Sequence, residues 1–114
     1  DTFEDLERAG RLKRPTITSS CVPNAHIFYV LLEGEEERNS VLTKLHSRGV
    51  GATFHYVPLH SSPAGRQFGK TGSEMTCTDD ISARLLRLPL FPMEPAEQDR
   101  VISEFRRAIF ANEK

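Results

Sequence analysis

Cysteine, net charge and long apolar runs are all scarce in this sequence, and each scarcity excludes a class of protein. Its two cysteines, Cys21 and Cys77, stand far apart in polar segments, a pattern that favours free thiols in a reducing cytosol over a disulfide framework. The formal net charge is -1, which argues against nucleic acid or an anionic membrane as the main partner. The longest apolar run, residues 27–32, is too short to span a bilayer.

The length of the chain also limits what it can be. Its 114 residues suffice for one domain with a modest core and are too few for a two-domain enzyme. The sequence begins at Asp1 without a methionine or a signal-like segment, in what reads as a helix already under way. We therefore expect a fragment of a longer, cytoplasmic polypeptide.

Hydrophobic periodicity predicts alternating helices and strands. They are a helix in DTFEDLERAG, a strand in AHIFYVLLEG covered on both faces, a helix in EEERNSVLTKLHSRG, a strand at 50–57, a helix at 79–88 capped by Thr78, an edge strand at 88–92 and a helix in EPAEQDRVISEFRRAIF. Gly10 and Gly49 are placed to end helices in a left-handed conformation. The order predicts an α+β fold, with a small, mainly antiparallel sheet packed against helices.

The segment FHYVPLHSSPAGRQFGKTG holds most of the candidate chemistry. Its Gly-Lys-Thr fails the phosphate-loop pattern, because Ala64 stands where the first glycine belongs and neither flank reads as the required strand or helix. His55 and His60 lack the spacing of known zinc sites, so no metal site is predicted. Ser61 and Ser62 read as turn-forming residues, since no nucleophile elbow is present.

A binding rim around Pro58 is the interpretation that remains. Tyr56, His55 and His60 flank this proline at a predicted strand end, where a rigid turn can present hydrogen-bonding side chains to a polar ligand. Strand alternation places His55 and Tyr56 on opposite faces, so without a bulge only one of them faces a given cleft. An aromatic side chain at the edge of the core is the alternative for Tyr56.

Two long blocks resemble a known family. GVGATFHYVPLHSSPAGRQFG and ISARLLRLPLFP, followed by an amphipathic helix, are similar to the C-terminal small domain of DegT/DnrJ/EryC1/StrS sugar aminotransferases, most firmly over residues 24–110. The resemblance implies the small domain of a fold-type-I, PLP-dependent transferase, with a leading helix and connector from a large domain at 1–24 and the small domain at 25–114. It also implies a homodimer that transfers an amino group from glutamate to a nucleotide-linked 4-keto-6-deoxy sugar, in lipopolysaccharide or other surface-polysaccharide biosynthesis.

The resemblance also implies roles for individual residues. The family's Tyr-x-Pro-Leu-His block matches residues 56–60, which implies substrate contacts at Tyr56 and His60, with His55 as a third. The family more often has a histidine in the first strand where Ile27 stands here, so no role is carried over to that position.

The family's Schiff-base lysine has no counterpart in this chain. The lysines present are Lys13, Lys44, Lys70 and Lys114. None stands in the family's lysine motif, so no catalytic or cofactor-binding residue is predicted, and the chain alone is expected neither to hold PLP nor to transaminate. Two other interpretations stay open, a free-standing α+β ligand-binding or regulatory module and a metal-dependent hydrolase that uses His55 and His60.

Overall fold

Two long helices and a short strand pair form the frame of the molecule. The structure, a computed structural model, describes residues 2–111. Its helices are α1 (Glu4–Arg8), α2 (Glu35–Ser47), α3 (Pro63–Phe68), α4 (Thr76–Arg84) and α5 (Pro95–Phe110), its strands are β1 (Phe28–Leu31) and β2 (Leu85–Leu88), and a 3₁₀ turn covers Leu59–Ser61. The predicted α+β fold is confirmed.

Antiparallel backbone pairing joins distant parts of the chain into a small sheet. β1 pairs with β2 in a register that places Val30 opposite Leu86. Single-residue bridges extend this pair on both sides, because Lys13 pairs with Leu31 of β1 and Thr53 pairs with Arg87 of β2. The order across the sheet is therefore Lys13, β1, β2, Thr53, with every neighbour antiparallel.

The predicted strand at 50–57 is wrong apart from its centre. Thr53 exchanges two backbone hydrogen bonds with Arg87, of 3.0 and 2.7 Å, and pairing goes no further along this segment. Antiparallel register sets Gly51 opposite Pro89, which has no N–H to donate. On the other side of the bridge, residues 54–58 belong to no strand or helix, and the chain continues as a loop.

The predicted helix at 79–88 and the edge strand at 88–92 are both displaced toward the N-terminus. α4 already begins at Thr76, so Thr78 is not its cap. The helical spacing of apolar residues extends to Leu88, but Leu85–Leu88 pairs with β1 instead, so tertiary pairing overrides a local pattern that fits a helix. β2 is also not an edge strand, because it lies between β1 and Thr53.

The core lies on one face of the sheet. Its largest fully buried side chains are those of Leu6, Val30, Leu32, Val41, Leu45, Leu86, Phe105 and Ile109. The opposite face of β1 is only half-buried, and Tyr29 and Leu31 line an open groove of about 560 Å³ there. The expectation that both faces of β1 are covered is therefore wrong for the second face.

The ends of the helices follow the sequence signals. Gly10 after α1 and Gly49 after α2 have φ of +72° and +71°, the left-handed conformation that glycine adopts at low cost. After Gly49, the N–H of Val50 donates to the carbonyl of Leu45 at 2.9 Å. Pro95 opens α5, where its missing N–H has no intrahelical partner to lose.

A bidentate ion pair joins α1 to α5. Both terminal nitrogens of Arg106 donate to the Asp5 carboxylate at 2.7 Å. Hydrogen bonding from Arg106 is the main cause that lowers the pKa of Asp5 from 3.8 to about 2. Because the folded pKa lies below the unfolded one, ionised Asp5 favours the folded state.

We expect Asp5→Asn to lower the free energy of unfolding at neutral pH. The loss should be full above about pH 4, where the unfolded carboxyl is also ionised, and should vanish as the pH falls toward about 2. Urea unfolding followed by circular dichroism over this range measures it. Asp99→Asn, at an exposed position of α5, is the control, and a loss for Asp5→Asn that stays constant with pH would contradict the prediction.

Candidate functional site

The rim segment, defined as residues 54–62, leaves the sheet directly after Thr53. Its first side chain is fastened by Arg38 of α2, whose guanidinium lies 4.4 Å from the centre of the Phe54 ring. The same buried arginine donates from Nε to the carbonyl of Ala83 at 3.0 Å. Arg38 therefore ties the start of the rim segment to both α2 and the end of α4.

Tyr56 and His55 lie side by side at the middle of the rim segment. Tyr56 is 79% exposed, so it is not an aromatic at the edge of the core. The two ring centres are 6.1 Å apart, because the segment forms no strand there and strict alternation does not apply. Burial lowers the pKa of His55, and the charge of nearby Arg87 lowers it further. Both effects favour the neutral imidazole, which can donate and accept hydrogen bonds.

The serines after Pro58 shape the turn that carries His60. Ser61 donates from its hydroxyl to the carbonyl of Pro58 at 3.1 Å, and Ser62 donates to that of Leu59 at 2.7 Å. Ser62 also accepts the N–H of Gly65 at 3.0 Å and so caps α3. The prediction that Ser61 and Ser62 form a turn is confirmed.

His60 is held by a contact across the loop. Its Nε2 lies 2.9 Å from Oδ1 of Asp79, in the first turn of α4. The side chain of His60 is 19% exposed, whereas that of Asp79 is 57% exposed. The rim segment is thus joined to α4 at His60 by a polar contact that complements the Arg38 contact at its other end.

An open groove of about 1100 Å³ lies between α3 and the start of α4. Its lining includes His60, Arg66, Phe68 and Lys70. Phe68 is 81% exposed, and no carboxylate of residues 2–111 belongs to the lining. The groove therefore offers cations, an aromatic ring and an imidazole to a ligand.

The Gly-Lys-Thr sequence lines this groove in a context unlike that of a phosphate loop. Gly69 follows α3 rather than a strand, and the next helix begins only at Thr76. A phosphate loop needs the reverse order of strand, loop and helix. Lys70 therefore contributes a side-chain charge to the groove and not the lysine of such a loop.

The three predicted site residues fall into two groups. His55 and Tyr56 contact each other on the rim segment, whereas His60 lines the groove and Tyr56 does not. The sequence interpretation missed Asp79, which lies 19 positions from His60, and the groove residues on α3. No local pattern reports a pair so far apart in the chain.

Other classes of site find little support in the part of the chain that the structure describes. Within residues 2–111, no three histidine, cysteine or acidic side chains converge as metal ligands. None of the helices described there has both the length and the apolar character to cross a bilayer. Cys21 and Cys77 are exposed and form no disulfide within these residues.

The comparison that decides the family spans nearly the whole chain. The model of the DegT/DnrJ/EryC1/StrS aminotransferase family matches residues 1–106. The chain belongs to this family. A curated protein of similar sequence is dTDP-4-dehydro-2,3,6-trideoxy-D-glucose 4-aminotransferase of Saccharopolyspora spinosa, which is 34% identical over 101 residues, 88% of this chain and 25% of the relative.

Two solved protein structures share the fold of this chain. The aminotransferase TlmJ from Streptoalloteichus hindustanus superposes with a TM-score of 0.81 at 25% identity, over 96% of this chain and 29% of TlmJ. NtdA from Bacillus subtilis, solved with bound PMP, gives a TM-score of 0.77 at 26% identity, over 95% of this chain and 25% of NtdA. The chain thus spans about a quarter of the length of these relatives.

Each lysine of the described residues is exposed or half-buried. A PLP enzyme holds its cofactor on a lysine, with an acidic or arginine partner at the pyridine nitrogen. Lys13 and Lys70 are exposed on open grooves, and Lys44 is half-buried on α2. None of these lysines stands in an enclosed cavity, and Lys114 lies outside the described residues.

Proposed function

We propose that this chain is the C-terminal small domain of a PLP-dependent sugar aminotransferase. Residues 1–24 form the leading helix and connector, and residues 25–114 form the small domain. A large domain outside this chain carries the PLP lysine, and the small domain closes one side of the active-site cleft. In isolation the chain does not transaminate.

The family match over residues 1–106 is the observation that carries this proposal. The superpositions support it, because nearly all of this chain is covered while less than a third of each solved relative is. The exposure of Lys13 and Lys70 is also consistent with a domain that contributes one wall of a larger site.

The substrates follow from the same relationship. We infer that the amino donor is glutamate and the acceptor a nucleotide-linked 4-keto-6-deoxy sugar of lipopolysaccharide or other surface-polysaccharide biosynthesis, handled by a cytoplasmic homodimer. NAHIFYVLL, FHYVPLHSSPAG and RLLRLPLF resemble dTDP-4-amino-4,6-dideoxygalactose transaminase, and the name of the curated relative also specifies a dTDP-linked 4-dehydro sugar. The cations of the groove, Arg66 and Lys70, suit the diphosphate of such a ligand.

The rim segment supplies the substrate contacts in this proposal. Tyr56, which is exposed, presents its hydroxyl to the cleft. His60 presents its imidazole from the groove, and His55 beside Tyr56 is the third contact. These residues bind and orient the sugar nucleotide and carry out no bond-making step.

The test compares the 114-residue chain with the complete product of its reading frame. We expect the complete product to develop imine absorbance with PLP and to transfer the amino group of glutamate to a nucleotide-linked 4-keto-6-deoxy sugar, and the chain alone to do neither. Imine absorbance in the chain alone, lost on replacing one of its lysines, would contradict the proposal, as would a complete product without aminotransferase activity.

Variants at Tyr56 in the complete enzyme extend this test to the site. Tyr56→Phe removes one hydrogen-bonding hydroxyl, which should lower kcat/KM for the sugar nucleotide about 2- to 10-fold. Tyr56→Leu removes the ring as well and separates the two contributions. Wild-type kcat/KM in both variants would remove Tyr56 from the site.

A further inference from the structure

The contact between His60 and Asp79 lies beside the groove that His60 lines. Nε2 of His60 lies 2.9 Å from Oδ1 of Asp79, and the imidazole is largely buried while the carboxylate faces solvent. His60 lines the open groove, whereas Asp79 does not. The ring of His60 therefore borders the groove, whereas its partner Asp79 lies outside the groove lining.

Hydrogen-bond chemistry then assigns the proton on the ring. An ionised carboxylate only accepts hydrogen bonds, so Nε2 must donate. In a neutral imidazole the other nitrogen, Nδ1, is then an acceptor. Nδ1 of His60 has no hydrogen-bond partner within residues 2–111, so its lone pair is available to a ligand.

We propose that Asp79 is a positioning residue that holds His60 in the Nε2–H tautomer, so that Nδ1 accepts a hydrogen bond from a sugar hydroxyl of a ligand in the groove. An acceptor selects a ligand group that carries a hydrogen, which a fully ionised phosphate oxygen lacks. A hydroxyl is the common donor of a sugar nucleotide. The identity of the ligand rests on the proposed function, whereas the effect of Asp79 on His60 does not.

Asp80 offers a matched control for Asp79. It is the next residue of the same helix, carries the same charge, and pairs with Arg84 at 3.3 Å rather than with His60. A general effect of charge or of helix stability would appear in Asp80→Ala as well as in Asp79→Ala. An effect through His60 would appear only in the latter.

The first measurement is nitrogen-15 NMR of the histidine rings in the 114-residue chain, at about pH 8, where an ordinary histidine is neutral. In the wild type and in Asp80→Ala we expect a single Nε2–H tautomer of His60 with a protected Nε2 proton. In Asp79→Ala we expect two exchanging tautomers and loss of that proton signal. Asp79→Asn keeps an acceptor oxygen and should retain part of the Nε2 proton signal. Identical His60 spectra in the wild type and Asp79→Ala would overturn the proposal.

The second measurement uses the complete enzyme. It follows two half-reactions separately, the one with glutamate and the one with the sugar nucleotide. Asp79→Ala should raise KM for the sugar nucleotide about 3- to 10-fold and leave the glutamate half-reaction unchanged. Equal losses in both half-reactions, or the same loss in Asp80→Ala, would show a structural role and overturn the proposal. A complete product with no aminotransferase activity would instead refute the proposed function, and the His60 spectra would still decide whether Asp79 positions the ring.

Discussion

Phe105→Ala is expected to lower the free energy of unfolding by about 3–5 kcal/mol. Phe105 is fully buried on α5, and its ring meets that of Phe3 edge-on at 5.1 Å between centres. Truncation leaves a cavity in the core beside Phe3. Because small domains are stable by only about 5–15 kcal/mol, a large share of the total would be lost. Urea unfolding followed by circular dichroism measures the change.

Phe110→Ala provides the matched control on the same helix. Phe110 lies at the end of α5 and is 45% exposed, so its truncation removes less buried surface and leaves no enclosed cavity. We expect a loss below about 1 kcal/mol. Similar losses for the two variants would show that α5 does not pack through Phe105 as described.

Gly65→Ala is expected to disrupt the junction that carries His60. A Cβ at this position would lie 1.6 Å from the carbonyl oxygen of Leu59, a backbone atom that cannot move unless the 3₁₀ turn or the start of α3 moves with it. Overpacking of this kind costs about 1–3 kcal/mol. We expect α3 to open locally, which faster exchange of the Arg66 and Gly69 amide protons, both hydrogen-bonded in the native turn, would report.

Gly72→Ala tests the same substitution at a position without a steric conflict. Gly72 also lines the groove, but a Cβ there meets nothing within 4 Å. We expect the free energy of unfolding of Gly72→Ala to stay within about 0.5 kcal/mol of the wild-type value. The amide protons of Arg66 and Gly69 should exchange as in the wild type. Unchanged amide exchange in Gly65→Ala would contradict the close approach of Leu59 to Gly65.

Helix positions were predictable because their signals are local. The acidic first turn of α2, its apolar stripe at Val41 and Leu45, and Gly49 at its end all lie within 15 residues and act through the helix itself. The same holds for α5, where Pro95 and the stripe through Phe105 define the start and the buried face.

Strand positions were less predictable because partners elsewhere in the chain decide them. Leu85 and Leu88 fit a continuation of α4, and only the presence of β1 turns this stretch into a strand. The apolar alternation of residues 50–57 fits a strand, but Pro89 and the Arg38–Phe54 contact limit pairing to Thr53. Neither competing interaction leaves a mark in the local sequence.

The candidate site was predictable only in part, for a similar reason. The sequence indicated Tyr56 and His60 because both flank Pro58, and it predicted that both belong to one binding rim. The structure instead separates them, with His60 in the groove and held by Asp79. Pairing over 19 positions depends on how α4 packs, which periodicity does not report.

The single-residue bridges at the two sides of the sheet have a consequence for aggregation. An outer strand with a long row of free N–H and C=O groups is a template on which another chain can add. Here the outer positions are held by Lys13, which Pro15 follows closely, and by Thr53, after which the chain turns away. The exposed apolar side chains of the rim segment are therefore not accompanied by a free strand edge. Molecules that meet there can touch through side chains without extending the sheet from one copy to the next.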